Sequence, residues 1–169
     1  EFLQAVTPAT AFPAEDAALR RFAARYTQDI GALDVLGAWL PAEDALRPLF
    51  AQARILPLPD LEPYYHPNPW TQALEGRTVL VVHPFTESIR RQYARRTQLF
   101  ADAHVLPAFD LKTLQAVQSI AGGGERSGFA DWFAALEWME QQMSAERFDV
   151  AIVGAGAYGL PLAAHAKRL

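Results

Sequence analysis

The chain has 169 residues, 51% of them hydrophobic and 20% charged, with a formal net charge of −4 and no cysteine. One globular domain over residues 1–169 is expected, and the acidic balance argues against a nucleic-acid partner, which needs a basic face. The absent cysteines remove disulfides, thiolate metal sites and thiol nucleophiles, and fit a reducing cytoplasm as the expected location.

No apolar run reaches the roughly 18–20 residues of a membrane span, and no signal peptide is evident. The chain opens Glu1-Phe2 without methionine and closes on Lys167-Arg168-Leu169 in a helical pattern. A fragment of a longer protein, incomplete at both ends, is therefore expected. The oligomeric state is left open.

Asp16 to Ile30 carries Leu19, Phe22, Ala23, Tyr26 and Ile30 at helical spacing. Pro13, Glu15 and Asp16 form its start signal. Arg20, Arg21, Arg25 and Asp29 lie off the apolar stripe, and the arginines are expected in water. Leu33 to Trp39 reads as a strand, and Pro41 opens a short helix with Glu43 and Asp44 in its first turn. Arg54 to Leu58 reads as a strand that Pro57 confines to an edge or cuts short. This alternation is that of an α/β domain.

Pro59, Pro63, Pro67 and Pro69 forbid regular structure across the next stretch, where Glu62, Tyr64, Tyr65, His66, Asn68 and Trp70 are crowded together. Such a stiff loop can make a binding wall. The plainer reading, favoured here, buries its aromatics across a sheet edge.

Arg77 to His83 is a continuous β-branched and leucine run, as a strand covered on both faces requires. A helix is expected from Ser88 to Phe100, with Thr86 and Ser88 as candidate caps. Ligands of open α/β sheets sit beyond the carboxyl ends of such strands, where His83 stands. His83 has two readings: a hydrogen-bonding or acid–base group for a ligand, or a cap on the strand end. Among the arginines of the helix, Arg90 is the best phosphate candidate.

His104 to Leu106 reads as a short strand. Leu111 to Ile120 has no clean period, and Gly122-Gly123-Gly124 reads as a flexible loop that no P-loop Gly-Lys-Ser/Thr follows. Ser127 to Met143 is a helix with Phe129, Trp132, Phe133, Leu136, Met139 and Met143 as its core stripe, and Ser127 as a plausible cap.

Asp149 to Val153 is a short buried strand, Leu160 to Leu169 a helix, and between them stands Gly154-x-Gly156-x-x-Gly159. A strand, a glycine turn and a helix place backbone amides against a phosphate, the third glycine allowing close helix–strand packing. The unit comes last among the strands, and the chain ends before a ribose-binding acid. The alternative is a tight turn without a ligand. Gly-x-Ser-x-Gly and His-Glu-x-x-His motifs are absent, and Asp60-x-Glu62 is the only Asp-x-Glu.

Leu61-Glu62-Pro63-Tyr64-Tyr65, Asn68-Pro69-Trp70, Gly76 to Phe85 (GRTVLVVHPF), Ser88-Ile89-Arg90 with Gln92-Tyr93, Asp131-Trp132-Phe133 with Ala135-Leu136, and Asp149 to Ala164 (DVAIVGAGAYGLPLAA) form one pattern. From about Phe12 onward it resembles bacterial proteins found with polysaccharide-biosynthesis genes that look like distant relatives of the GT-D-fold glycosyltransferases. The resemblance yields a class rather than a substrate.

The resemblance implies an α/β fold: a Rossmann-like, mostly parallel sheet with helices on both faces, a three-layer sandwich. It makes Leu111 to Gln118 a strand. It implies a nucleotide-diphosphate sugar as partner and a divalent metal, manganese or magnesium, on an acidic Asp-x-Glu-type motif upstream of Glu1. No metal ligand is assigned in this chain, and the fragment alone is expected to be inactive. Its nucleotide-binding residues would be Ser88, Arg90, Gly154, Gly156, Tyr158 and Gly159. His83 and Glu62 would be the catalytic candidates, and Tyr64 and Tyr65 the substrate contacts. A non-catalytic binding module and an NAD(P)-binding oxidoreductase domain are the alternatives.

Overall fold

The computed structural model describes residues 15–118 and 127–169. In chain order the elements are helix α1 (Asp16–Ile30), strand β1 (Val35–Ala38), a 3-10 run (Pro41–Phe50), strand β2 (Arg54–Pro57), 3-10 turns at Leu58–Leu61, Pro63–Tyr65 and Trp70–Leu74, strand β3 (Thr78–His83), helix α2 (Thr86–Tyr93), a 3-10 turn (Arg96–Gln98), strand β4 (Asp110–Gln115), helix α3 (Trp132–Ala145), strand β5 (Val150–Val153), a 3-10 turn (Gly156–Tyr158) and helix α4 (Gly159–Arg168). The start signal at Pro13 and the triple glycine lie outside the described residues.

Helices and strands are mixed, and the strands form two small parallel sheets. One is β4-β3-β5 in that order; the other is β1 paired with β2. β3 is central because Val79, Leu80, Val81 and Val82 give both faces an apolar surface to bury, and all four are buried. Alternation sends Leu80 and Val82 to one face, with Phe22 of α1, Trp132, Leu136 and Met139 of α3, and Leu162 of α4. Val79 and Val81 go to the other, with Leu74, Ile89 of α2, Phe109, Leu111, Val150 and Ile152. The register explains the company: Val79 pairs with Leu111 on one side and Val150 on the other.

The strands β1 and β2 do not join this sheet. Their isolation fits the reading of Pro57 as an edge residue. Gly37 of β1 makes room where the Leu58–Leu61 turn folds back, since a Cβ there would lie 2.6 Å from Leu61 Cδ1 and 3.3 Å from the Leu58 Cα.

Several expectations are corrected. Arg25 is not solvated: it pairs with Asp29 and with Glu140 of α3, and Asp29, 1% exposed, also takes Arg168 of α4 at 3.0 Å. At Arg25 and Asp29 the polar side of α1 is thus an ion-paired contact with two helices, while Arg20 and Arg21 are exposed as expected. Arg21 lies 3.8 Å over the Phe133 ring.

The helix after β3 stops at Tyr93 rather than Phe100. Tyr93 is anchored there, its ring on Phe109 at 4.4 Å and its hydroxyl on the Phe109 backbone. His104 to Leu106 is a turn. The Asp102 carboxylate takes the His104 amide and ring Nδ1, both at 2.9 Å, a local arrangement that outcompetes a three-residue strand. These bonds, led by the backbone amide, hold Asp102 below the usual carboxylate range. Asp131, not Ser127, caps α3, its Oδ1 accepting the Ala134 amide at 2.7 Å. Among the described residues no helix is long and apolar enough to cross a membrane.

Candidate functional site

Because β3 and β5 are parallel neighbours, they end together, and the chain leaves both at the same edge of the sheet. His83 ends β3 and Gly154 follows β5. A Cβ on Gly154 would lie 2.6 Å from His83 Cδ2 and 3.3 Å from Nε2, so only glycine lets the imidazole lie this close to the backbone. The Phe85 amide donates to His83 Nδ1 at 3.0 Å. That leaves Nε2, the nitrogen beside Gly154, as the hydrogen-bearing donor of the neutral ring. Two helix N-termini, those of α2 and α4, start from this edge, where their amides and dipoles favour an anion.

Gly156 has φ +56°, the left-handed backbone that glycine adopts without cost. The amides of Gly154, Tyr158 and Gly159 are committed to the carbonyls of Val82, Ala155 and Gly156. Gly159 does not serve close helix–strand packing, since a Cβ there would meet nothing within 4 Å. That duty falls to Gly154, against His83. The Tyr158 ring faces away from the edge: it is buried and stacked on Trp132 at 5.1 Å, 6° from parallel. Its side chain belongs to the core.

Beside His83 a cavity of about 360 Å³ opens between α2 and the sheet. Val81, Leu111 and Ile152 line its floor and Ile89 and Phe85 its sides; Ser88 and Gln92 of α2 border it, but its exposed lining is almost entirely apolar. It is an open apolar hollow, without the convergent polar groups of a small-molecule pocket. Ser88 thus shares a space with His83, although neither it nor Thr86 caps α2 through its side chain.

Arg90 is not brought to the glycine turn. It donates to Thr113 Oγ1 on β4, with Glu87 at 3.4 Å. β4 and β5 flank β3 on opposite sides, so the sheet order itself separates Arg90 from Gly154.

Glu62, Tyr64 and Tyr65 lie at the other end of β3. Their loop runs into Thr71, whose hydroxyl donates to the His104 carbonyl, and into Gly76, whose amide donates to Ala108 ahead of β4. Tyr64 stacks near Phe100, past the end of α2. Six residues of β3 separate this end from His83, roughly 16 Å at ~3.3 Å per residue.

The favoured reading of buried aromatics is corrected: Tyr64, Tyr65 and Trp70 are 50%, 67% and 49% exposed. The loop holds its shape through its own main chain, His66 Nε2 donating to Asp60 O at 2.8 Å and Trp70 Nε1 to Leu61 O at 2.9 Å. The Glu62 carboxylate pushes the Tyr64 phenol upward by accepting its hydrogen bond.

Among the described residues no three His, Asp or Glu side chains are grouped to hold a metal. One participant escaped the sequence reading: Tyr26 of α1, whose hydroxyl donates to the Ala157 carbonyl at 2.5 Å, within the glycine turn. The available signal was a tyrosine on an apolar stripe, since a buried hydroxyl needs a partner. No protein-family model matches this chain, and no curated protein or solved structure matches it either.

Proposed function

We propose that the chain is a nucleotide-sugar-binding, glycosyltransferase-like domain of bacterial polysaccharide biosynthesis, built on a Rossmann-like three-layer plan, with the diphosphate at the shared edge of β3 and β5. The contact of His83 with Gly154 carries this reading, because it fuses two strand–helix junctions into one surface. His83 Nε2 supplies a hydrogen-bond donor, the two helix N-termini supply a positive field, and Ser88 stands in the first turn of α2 beside them. Donors aimed at a diphosphate stabilise it as a leaving group, which is the main catalytic demand of glycosyl transfer. Arg90 would have to leave Thr113 to take part. A manganese or magnesium ion, where one is used, draws its ligands from outside the described residues.

A second reading, a non-catalytic nucleotide-binding module, is favoured by the position of Glu62. A carboxylate at the opposite end of β3 from His83 cannot act with it on one bond.

Titration calorimetry with uridine diphosphate and a uridine diphosphate sugar, with and without manganese, tests the proposal on the longest available chain. Binding is expected, weakened about tenfold, or ~1.4 kcal/mol, by His83→Ala and by Gly154→Val. No binding to the unaltered protein would sink the proposal. Binding without turnover in any acceptor mixture would select the second reading.

A further inference from the structure

The turn after β5 has little to hold it in one shape. Three of its six residues are glycine, and glycine loses the most conformational freedom on ordering. Its own bonds are two: the Tyr158 amide to Ala155 and the Gly159 amide to Gly156. Three further holds come from outside: the Gly154 amide donates to the Val82 carbonyl at 2.9 Å at the first residue of the turn, and two act on its later half. The Tyr26 hydroxyl donates to the Ala157 carbonyl at 2.5 Å, and the Tyr158 ring lies on Trp132.

These two holds are one assembly. Tyr26 stacks on Phe22 at 4.4 Å, Phe22 meets the edge of Trp132 at 4.9 Å, and Trp132 stacks on Tyr158 at 5.1 Å. The aromatic chain runs from α1 through α3 and returns to the turn one residue beyond the carbonyl that Tyr26 grips. α1 is fixed in turn at its far end, where Asp29 takes Arg168 in the last turn of α4. One turn of α1 thus touches both the turn before α4 and the residue that ends it.

We infer that Tyr26 is the positioning residue of the Gly154–Gly159 turn, fixing the Ala157 peptide so that Gly156 keeps its left-handed backbone and the turn keeps one shape beside His83. Burial, helped by the Asp29 charge, pushes the phenol well above its ordinary value, so it remains a donor at any physiological pH. The conformational part stands without the proposed function; only the consequence for ligand affinity rests on it.

Hydrogen exchange on the full chain tests the inference, comparing Tyr26→Phe with a general core lesion, Phe22→Leu. Tyr26→Phe keeps the ring and removes one hydrogen bond, so exchange of the Tyr158 and Gly159 amides is expected to quicken about fivefold, the equivalent of ~1 kcal/mol. Global unfolding breaks the same bond, so the β3 amides from Val79 to Val82 should quicken by no more than the turn does. The Glu62 and Tyr65 amides of the proline loop, which open without it, should change less than about twofold, and Phe22→Leu, which keeps the hydroxyl, should quicken β3 more than the turn. Unchanged turn amides in Tyr26→Phe, or turn and proline-loop amides moving in step, would overturn it. A uridine diphosphate titration of the same variants separates the two ideas. If the unaltered protein binds nothing while the turn amides still quicken in Tyr26→Phe, positioning stands and the ligand assignment fails.

Discussion

The two ends of β3 carry the chemistry that stands out in this sequence, and they are built in opposite ways. At the carboxyl end, His83 lies against Gly154 because two parallel strands finish together, and Tyr26 and Trp132 hold the turn from below. At the amino end, Tyr64, Tyr65 and Trp70 stand in solvent on a proline-stiffened loop that is stabilised mainly by its own main-chain carbonyls. The first region is assembled by long-range packing; the second is largely local. The composition of a segment tells what it can touch, whereas topology decides what it can act with. Glu62 and His83 are each reasonable catalytic side chains, yet the length of a strand keeps them from sharing a reaction.

Removing the packing should break this contrast most severely. Trp132 is fully buried and touches Phe22, Phe133 and Tyr158. Trp132→Ala is expected to cost about 3–5 kcal/mol, read as a fall in thermal midpoint of roughly 10 °C for a chain of this size. Amide exchange should rise at the glycine turn beyond this global loss, and not in the Pro59 to Trp70 loop. A midpoint that falls by less than about 3 °C would show that the carboxyl end does not depend on the aromatic stack.

The contrast also explains how much could be read in advance. β3 was legible because four consecutive apolar residues satisfy only a strand covered on both faces. α1 was legible because its stripe has one period and begins at an acidic turn. The start of α3 was not: Ser127 and Asp131 are both good caps, and only the hydrogen bond to Ala134 chooses between them. His104 to Leu106 looked like a strand because three residues cannot reveal that Asp102 bends the chain. Arg90 was placed near the glycine turn by its position after β3, but the side of β3 taken by β4 is a property of the assembled sheet. Gly154 was recognised as a turn residue. Its closer duty, making room for His83, depends on a contact between residues far apart in the chain.

A smaller effect should separate the buried phenol from the exposed ones. The folded chain holds the Tyr26 proton more tightly than the unfolded chain does. The stabilisation is therefore complete below the ordinary tyrosine value near pH ~10 and is lost as pH rises through it toward the higher folded value. Denaturant midpoints measured upward from about pH 9 should show an alkaline loss of roughly 1–2 kcal/mol, the worth of one buried hydroxyl with its bond. Tyr26→Phe should flatten that loss. An equal loss in the variant would place the sensitivity elsewhere and leave Tyr26 without its linkage.

The smallest expected effect tests the separation of the two ends directly. Tyr64 and Tyr65 are at least half exposed, so replacing either with alanine should change stability by no more than about 0.5 kcal/mol. If ligand binds only at the carboxyl end, neither change should alter affinity for uridine diphosphate by more than about twofold, ~0.4 kcal/mol. A sugar donor can still differ from the bare diphosphate, because only a ligand spanning the roughly 16 Å of β3 reaches both His83 and Tyr64. An affinity loss confined to the sugar donor would give the tyrosine loop a part in substrate binding. Loss for the bare diphosphate would mean that the two ends of the strand are coupled, contrary to the independence their construction implies.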